Sequence, residues 1–341
     1  MEDKNYYAVP AISNSGMSTI NPAQGGTPAR YKKYVVDRDG GKEDTPSLAN
    51  GKLVHLYVED PDQFLVTDVD KPTEKLAAWV EDVYHAFPWS EDAITPQNII
   101  FTKMILEKRG DRYKGLKDET KIIKKFFEGR EYLLFLIRSD GQICMTTAQK
   151  EVVSGCVKSI HANDMAERLL FTLPSTLMAS AENEMALYWK QKVSLTGASI
   201  HLDCKALLDR VVFEPETKKV KLIDLKTTGK AGALFNDSFR FYRYYRQMGW
   251  YRHALRVYLA HKYGRDQEEL WEIEVYIVAV ETFGLYECRV FKVSEEYLSM
   301  GGSEAHDLVQ RIGHSTYYNS WEVSKEERAD GYITLEPYEG E

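Results

Sequence analysis

LDCKALLDRVVFEPETKKVKLIDLKTT, from Leu202 to Thr228, is the stretch whose reading decides the fold. Val211 and Phe213 alternate on the way in, Glu214 to Lys219 supply proline and charge for a loop, and Val220 and Leu222 resume the alternation. That pattern predicts a β-hairpin. If Phe213 and Val220 close the loop as a pair, counting back two by two sets Val211 against Leu222 and Asp209 against Asp224. Directly opposed residues have Cβ atoms roughly 4.5–5.5 Å apart, and like charges there destabilise a sheet unless something neutralises them. A divalent cation would do so. Strand periodicity puts Lys226 on the face of Asp224, while Leu225 and Thr227 point the other way. Two Asp and a Lys then surround one point, with the backbone carbonyl of Leu225 within reach. Such hard, oxygen-rich surroundings suit Mg²⁺ or Mn²⁺.

At these residues the chain resembles the PD-(D/E)xK nuclease superfamily, whose core hairpin carries an Asp and then an acidic residue, any residue and Lys. The matching positions are Asp209, Asp224 and Lys226. The resemblance implies an α/β, restriction-endonuclease-like core, a mixed central β-sheet flanked by helices, with helical N-terminal and insert segments.

Composition fits a globular enzyme. The 341 residues are 43% hydrophobic and 12% aromatic, ample for a core. No apolar run approaches the ~18–20 residues of a membrane span, and no secretion signal is evident, so cytoplasm and no membrane partner are expected. Cys144, Cys156, Cys204 and Cys288 have neither zinc nor iron–sulphur spacing. Buried free thiols and no iron–sulphur cluster are expected. The formal charge of −8 argues against a protein that coats nucleic acid with its whole surface, though not against one basic groove.

Ser13 and Ser15 are candidate caps of a short helix, and a helix initiated at Pro28 ends in Arg30, Tyr31, Lys32, Lys33 and Tyr34. Ser-x-Ser, a later Pro and an aromatic-basic helix resemble the N-terminal segment of RecE-type exonucleases, which lies beside the active site. This makes Arg30 and Lys33 candidate DNA contacts. In SLANGKLVHLYVEDPDQF, residues 47 to 64, Leu48, Gly51, Val54, His55 and Val58 recur at helical spacing up to Asp60-Pro61. Gly, three residues, His, then an acidic residue, Pro and an aromatic resemble the GxxxH-to-PExF signature of RecE-like nucleases. That resemblance implies that His55 is a metal ligand.

Glu74 to Phe87 and Glu119 to Leu136 are helical patches, and a longer helix or helix pair follows Thr146 or Thr147 as cap. From Glu184, Met185, Leu187 and Trp189 alternate along a strand that turns at Thr196-Gly197. Glu184 matches the family's upstream acidic residue, with Glu182 two positions away on the same face.

Phe239 to Ala260 reads as one amphipathic helix, with Phe241, Met248 and Leu255 assigned to the core. Arg240, Arg243, Arg246, Arg252 and Arg256 are expected on its flanks. Arg forks grip phosphates and aromatic rings stack on bases, so this is the candidate DNA-contacting helix. Gln247 and Tyr251 fall in QMGWY, which resembles the family's QxxxY motif and implies a role in positioning water or phosphate. Trp271 to Val280 and Tyr286 to Val293 form a hairpin around Phe283-Gly284, and Tyr297 to His314 a closing helix.

The resemblance spans about residues 9 to 314. It implies one nuclease domain over 1–320, with a core at about 180–300, an N-terminal helical part at about 9–64 and a helical insert at about 66–170. An acidic tail, loosely packed, occupies 321–341. The expected activity is that of a Mg²⁺-dependent exodeoxyribonuclease of phage-type recombination, working on linear duplex ends from 5′ to 3′ and leaving a single-strand product. The resemblance further implies a ring-shaped homo-oligomer and a single-strand annealing protein as partner. A PD-(D/E)xK endonuclease, a CRISPR-adaptation-like nuclease and a non-catalytic DNA-binding module of the same fold are the alternatives.

Overall fold

A computed structural model of the chain describes residues 6–40, 45–86, 89–139, 142–229, 234–322 and 331–332. In chain order the elements are α1 (Asn14–Ser18), α2 (Pro28–Tyr31), α3 (Pro46–Glu59), β1 (Phe64–Val66), α4 (Glu74–Tyr84), α5 (Ile99–Lys108), α6 (Glu119–Phe127) and α7 (Arg130–Arg138). There follow β2 (Ile143–Met145), α8 (Thr147–Ala162), α9 (Asp164–Phe171), β3 (Ser180–Leu195), β4 (Ala198–Glu214) and β5 (Lys219–Thr228). The chain ends with α10 (Phe235–Phe241), α11 (Tyr244–Tyr263), α12 (Arg265–Glu268), β6 (Glu272–Glu281), β7 (Cys288–Lys292) and α13 (Glu295–Tyr317). They form two compact units, one of Met1–Gly51 with Gly155–Glu341 and one of Lys52–Ser154. Among the described residues no helix is long and apolar enough to cross a membrane.

The first unit is built on a five-stranded sheet in the order β3-β4-β5-β6-β7. β5 and β6 are parallel and every other neighbouring pair is antiparallel, so the sheet is mixed and flanked by helices. Phe213 pairs with Val220 and Val211 with Leu222, as the alternation predicts. Leu195 pairs with Ala198 around Thr196-Gly197, where Gly197 takes φ +78°. That is the conformation glycine adopts at no steric cost.

One sheet face, with Leu187, Leu208, Val211, Val220, Leu222 and Ile277, packs against Met248 and Leu255 of α11 and Leu298 and Leu308 of α13. α11 and α13 meet almost backbone to backbone, because a Cβ at Gly301 would run into the Tyr245 carbonyl. The N-terminal segment joins the same sheet through an isolated parallel bridge from Ile12 to Cys204.

The expected single helix over 239–260 is two. α10 ends at Phe241 and α11 starts at Tyr244, with Arg243 between them at φ +54°. The left-handed conformation costs a non-glycine residue roughly 1–2 kcal/mol. Here it is held by the Arg243 guanidinium, which donates to Glu304 at 2.7 Å and to the Tyr245 hydroxyl at 2.5 Å. The break turns Phe241 out of the core to which periodicity assigned it, and its ring is 77% exposed. Met248 and Leu255 are fully buried, as expected.

The second unit has its own core of Trp79, Phe101, Ile105, Phe126 and Leu133 from α4 to α7, and a parallel two-stranded pair, β1 with β2. The thiols are free; Cys156 and Cys204 are buried, whereas Cys144 and Cys288 are half-buried, against the expectation. The acidic tail falls largely outside the described residues. Its first member, Trp321, is buried and stacks on Tyr31 with ring centroids 6.0 Å apart.

Candidate active site

β4 brings Asp209, and β5 brings Asp224 and Lys226, to the place where the two strands part. The β4–β5 ladder stops at Arg210 and Ile223, one step short of the predicted Asp209–Asp224 pair. At that step the Asp209 side chain takes over from the backbone, and its Oδ2 accepts a hydrogen bond from the Leu225 N–H at 2.9 Å. β5 continues beside β6, which pairs Asp224 with Ile277 and Lys226 with Ala279. One strand is thus held on both sides below the site and on one side at it, leaving the side chains of Asp224 and Lys226 a common space.

Asp224 has no exposed surface, and its Oδ2 lies 2.5 Å from Lys226 Nζ. Burial alone would lower the Lys226 pKa, but Asp224 first and then Asp209 hold it above the ordinary lysine value. The ammonium therefore keeps its proton at neutral pH. Burial pushes the Asp209 carboxyl upward, opposed by the Lys226 charge and the Leu225 N–H. A carboxylate disfavoured by its surroundings is common where function rather than stability selects the residue.

α11 covers the site. The Gln247 Nε2 donates to the Tyr251 hydroxyl at 2.8 Å, so the two residues predicted from their spacing do meet. Burial, then the charges of Asp224 and Asp209, raise the Tyr251 pKa well above the usual phenol value, and Tyr251 keeps its proton. Tyr244, one turn before Gln247, puts its ring centroid 5.2 Å from Lys226 Nζ. Nothing local in the sequence marks Tyr244 as functional, although positions 244, 247 and 251 share one helical face.

Glu184 stands opposite Asp209 by register, since its neighbours pair Asn183 with Arg210 and Met185 with Leu208. It interrupts the ladder in a left-handed conformation, φ +48°. Its charge helps to raise the pKa of Tyr6, after burial, Tyr7 and Tyr188. Tyr6, which the sequence did not single out, is buried and receives the Lys205 ammonium on its carbonyl at 2.8 Å.

Gly51 explains half of the GxxxH pattern. A Cβ there would come 2.6 Å from Thr227 Oγ1, so glycine lets α3 lie against β5 one residue beyond Lys226. His55 follows four residues later on α3, half-buried, and belongs to the second unit.

One of the arginines is placed otherwise than expected, while Arg240 is exposed and Arg243, Arg252 and Arg256 are half-buried on the flanks. Arg246 is fully buried rather than on a flank. Its guanidinium donates to Asn14 Oδ1, Gln24 Oε1, Ser18 Oγ and Glu304 at 2.6–3.2 Å, a set of acceptors that makes burial of the charge tolerable. Arg240 donates to the Tyr297 hydroxyl, Arg252 to Glu295 and Arg256 to Glu268. Arg30 is exposed and donates to the Gly25 carbonyl, and the Lys33 ammonium lies 5.6 Å from the Tyr34 ring centroid.

Two carboxylates and one ammonium leave the cluster with one excess negative charge where Asp224 meets no solvent. Carboxylate oxygens in that state fit a hard divalent cation. Among the described residues no group of three or more His, Cys, Asp or Glu side chains gathers in a metal-binding arrangement. The protein would thus supply two carboxylates there, and Mg²⁺ commonly completes such a set with water and substrate oxygens.

No family model matches the chain, and no curated protein does. Among solved structures it is similar to one from Eubacterium rectale named "Putative exonuclease", with a TM-score of 0.48 and 12% identity over 99% of this chain and 95% of that one.

Proposed function

We propose that the chain is a metal-dependent deoxyribonuclease of the PD-(D/E)xK type, RecE-like, that hydrolyses DNA phosphodiester bonds from duplex ends. The observation that carries this reading is the convergence of Asp209, Asp224 and Lys226 where β4 and β5 part, under the Gln247–Tyr251 pair. Asp209, Asp224 and the Leu225 carbonyl would hold Mg²⁺ or Mn²⁺, which would supply a water of lowered pKa and offset charge on the scissile phosphate; a ligand role for His55 is supported by the family resemblance alone.

The chain's own groups divide the remaining work. Lys226 carries its proton, so it acts as a donor to developing negative charge rather than as the base. Asp224 and Asp209 keep that ammonium charged and in place. Tyr251, protonated and anchored by Gln247, offers an O–H to phosphate or water. The Leu225 N–H donates to one oxygen of Asp209 and helps to orient its carboxylate. Arg30 and Lys33 supply exposed positive charge for DNA, while Glu184, opposite Asp209, adds a carboxylate at the rim. A ring-shaped homo-oligomer and a single-strand annealing partner belong to the same reading and are supported by the family resemblance alone.

End-labelled linear duplex and covalently closed circular DNA, each with Mg²⁺ and with EDTA, test it in wild type and Asp224→Asn. Loss of the linear form alone, abolished by EDTA and by the substitution, is expected, and the labelled end reports polarity. Cutting of the circle would replace the exonuclease by an endonuclease. Binding without cutting of either DNA by folded wild type would leave a non-catalytic module.

A further inference from the structure

Resting on that reading, we propose that Phe241 and Tyr242, at the corner between α10 and α11, form a platform on which an unpaired base at the DNA end stacks. The two rings are 77% and 56% exposed. Single exposed apolar side chains need no explanation, but these two are linked to the site. Phe241 meets Tyr242 edge to face with centroids 5.0 Å apart, and Tyr242 lies 5.6 Å from Tyr244 with ring planes tilted by 30°. Tyr244 is the ring beneath Lys226. A continuous aromatic path runs from solvent to the ammonium that pairs with Asp224.

The path is rigid at its inner end and costs strain to build. Tyr244 stacks on Phe235, which stacks on Phe291 of β7 at 4.9 Å. The corner itself depends on the left-handed Arg243, pinned by Glu304. Backbone strain held by surrounding contacts, used to turn two aromatic rings toward water, marks a surface with a task.

Chemistry selects the occupant. Bases inside a duplex are stacked on both faces, whereas a terminal or unpaired base has a free π-face that an aromatic side chain can cover. Stacking needs no positive charge, which matters beside a helix whose arginines are all engaged by acceptors within the chain. The rings thus favour substrate ends with a frayed or single-stranded terminal nucleotide.

The test uses full-length protein and a linear duplex with a 2-aminopurine in a one-nucleotide overhang, bound in EDTA so that no cutting intervenes. Wild type should quench the fluorophore by stacking. Phe241→Ser with Tyr242→Ser should abolish the quench and weaken binding by roughly 5- to 150-fold, the range for losing one base–aromatic stack. Phe241→Tyr with Tyr242→Phe should restore both, which a merely structural role would not require. In Mg²⁺ the serine pair should raise KM for the overhang substrate more than it lowers kcat. Unchanged quench and affinity in the serine pair would overturn the proposal. So would a change confined to the sedimentation coefficient, which would assign the corner to a protein neighbour. The nuclease reading fails separately, if Asp224→Asn cuts as well as wild type, and the fluorescence result stands apart from it.

Discussion

Lys226→Met removes a positive charge that sits beside two carboxylates. In the folded protein Lys226 Nζ lies 2.5 Å from Asp224 Oδ2, and the two side chains are 15% and 0% exposed. At that separation and an effective dielectric of about 20, the gross attraction is about 7 kcal/mol. Desolvation of both groups offsets much of it, and breaking a buried pair from one side typically costs about 3–5 kcal/mol. Against a total stability of roughly 5–15 kcal/mol, that is a large fraction. The pH dependence gives the sharper signature. In wild type the Lys226 pKa is raised, so its stabilisation is complete below the ordinary value of 10.5 and fades only as pH rises through the higher folded value. Lys226 thus adds no slope between pH 5 and 8. In the variant Asp209 loses the charge that opposes its upward shift, so its already raised pKa rises further. A carboxyl with a raised folded pKa stabilises below its ordinary 3.8 and loses that contribution as pH climbs through the folded value. The deficit of Lys226→Met should therefore be larger at pH 8 than at pH 5. Urea unfolding in EDTA at both pH values measures it. A deficit under about 1 kcal/mol at pH 8, or one that grows toward pH 5, would refute the reasoning.

Gly51→Ala places a methyl 2.6 Å from Thr227 Oγ1 and should destabilise by about 1–3 kcal/mol as an overpacked contact. Adding Thr227→Ala should recover at least half of that loss in a thermal or urea double-mutant cycle, and additive losses would mean that α3 does not rest on β5 here. Arg246→Met strips its partners Asn14, Ser18, Gln24 and Glu304 of their donor and should cost about 3–5 kcal/mol in unfolding. The salt dependence of DNA binding should not change in that variant, whereas Arg30→Ala with Lys33→Ala should flatten log Kd against log [salt] by about one to two units. A flattened slope in Arg246→Met would return Arg246 to the DNA-facing set.

What the sequence made legible were features set by strict local periods. Alternation around the 214–219 loop gave the register of β4 against β5 as far as Arg210 and Ile223, and one step further the Asp209 side chain bonds the Leu225 N–H instead of completing the pair. The spacing of four between Gln247 and Tyr251 is one helical turn, and their hydrogen bond follows from it. What stayed hidden was decided by residues far away in the chain. Arg243 is no glycine or asparagine, so nothing local announces a left-handed break; Glu304, 61 residues on, stabilises it. Arg246 looks like a flank residue because its burial depends on acceptors in α1 and the turn after it, more than 220 residues upstream. Once the break is admitted, the outward turn of Phe241 follows.

The buried Arg246 and the ion-paired arginines around it bear on how an acidic chain would hold a polyanion. With a formal charge of −8 and the arginines of α10 and α11 bonded to acceptors of the chain itself, the helix over the site offers DNA little spare positive charge. A phosphate approaching Asp209 and Asp224 meets like charge, offset in part by Lys226. Under the proposed reading the divalent ion would then serve engagement of the scissile phosphate as well as chemistry, because it would reverse the sign of the charge at the site. The affinity that remains without it would come from Arg30, Lys33 and the neutral rings of Phe241 and Tyr242. Grip at the DNA end would thus be partly insensitive to salt, while engagement of the scissile phosphate would wait for the metal. Such a division lets an enzyme recognise a frayed terminus yet release the severed, charged product when the ion and its water turn over.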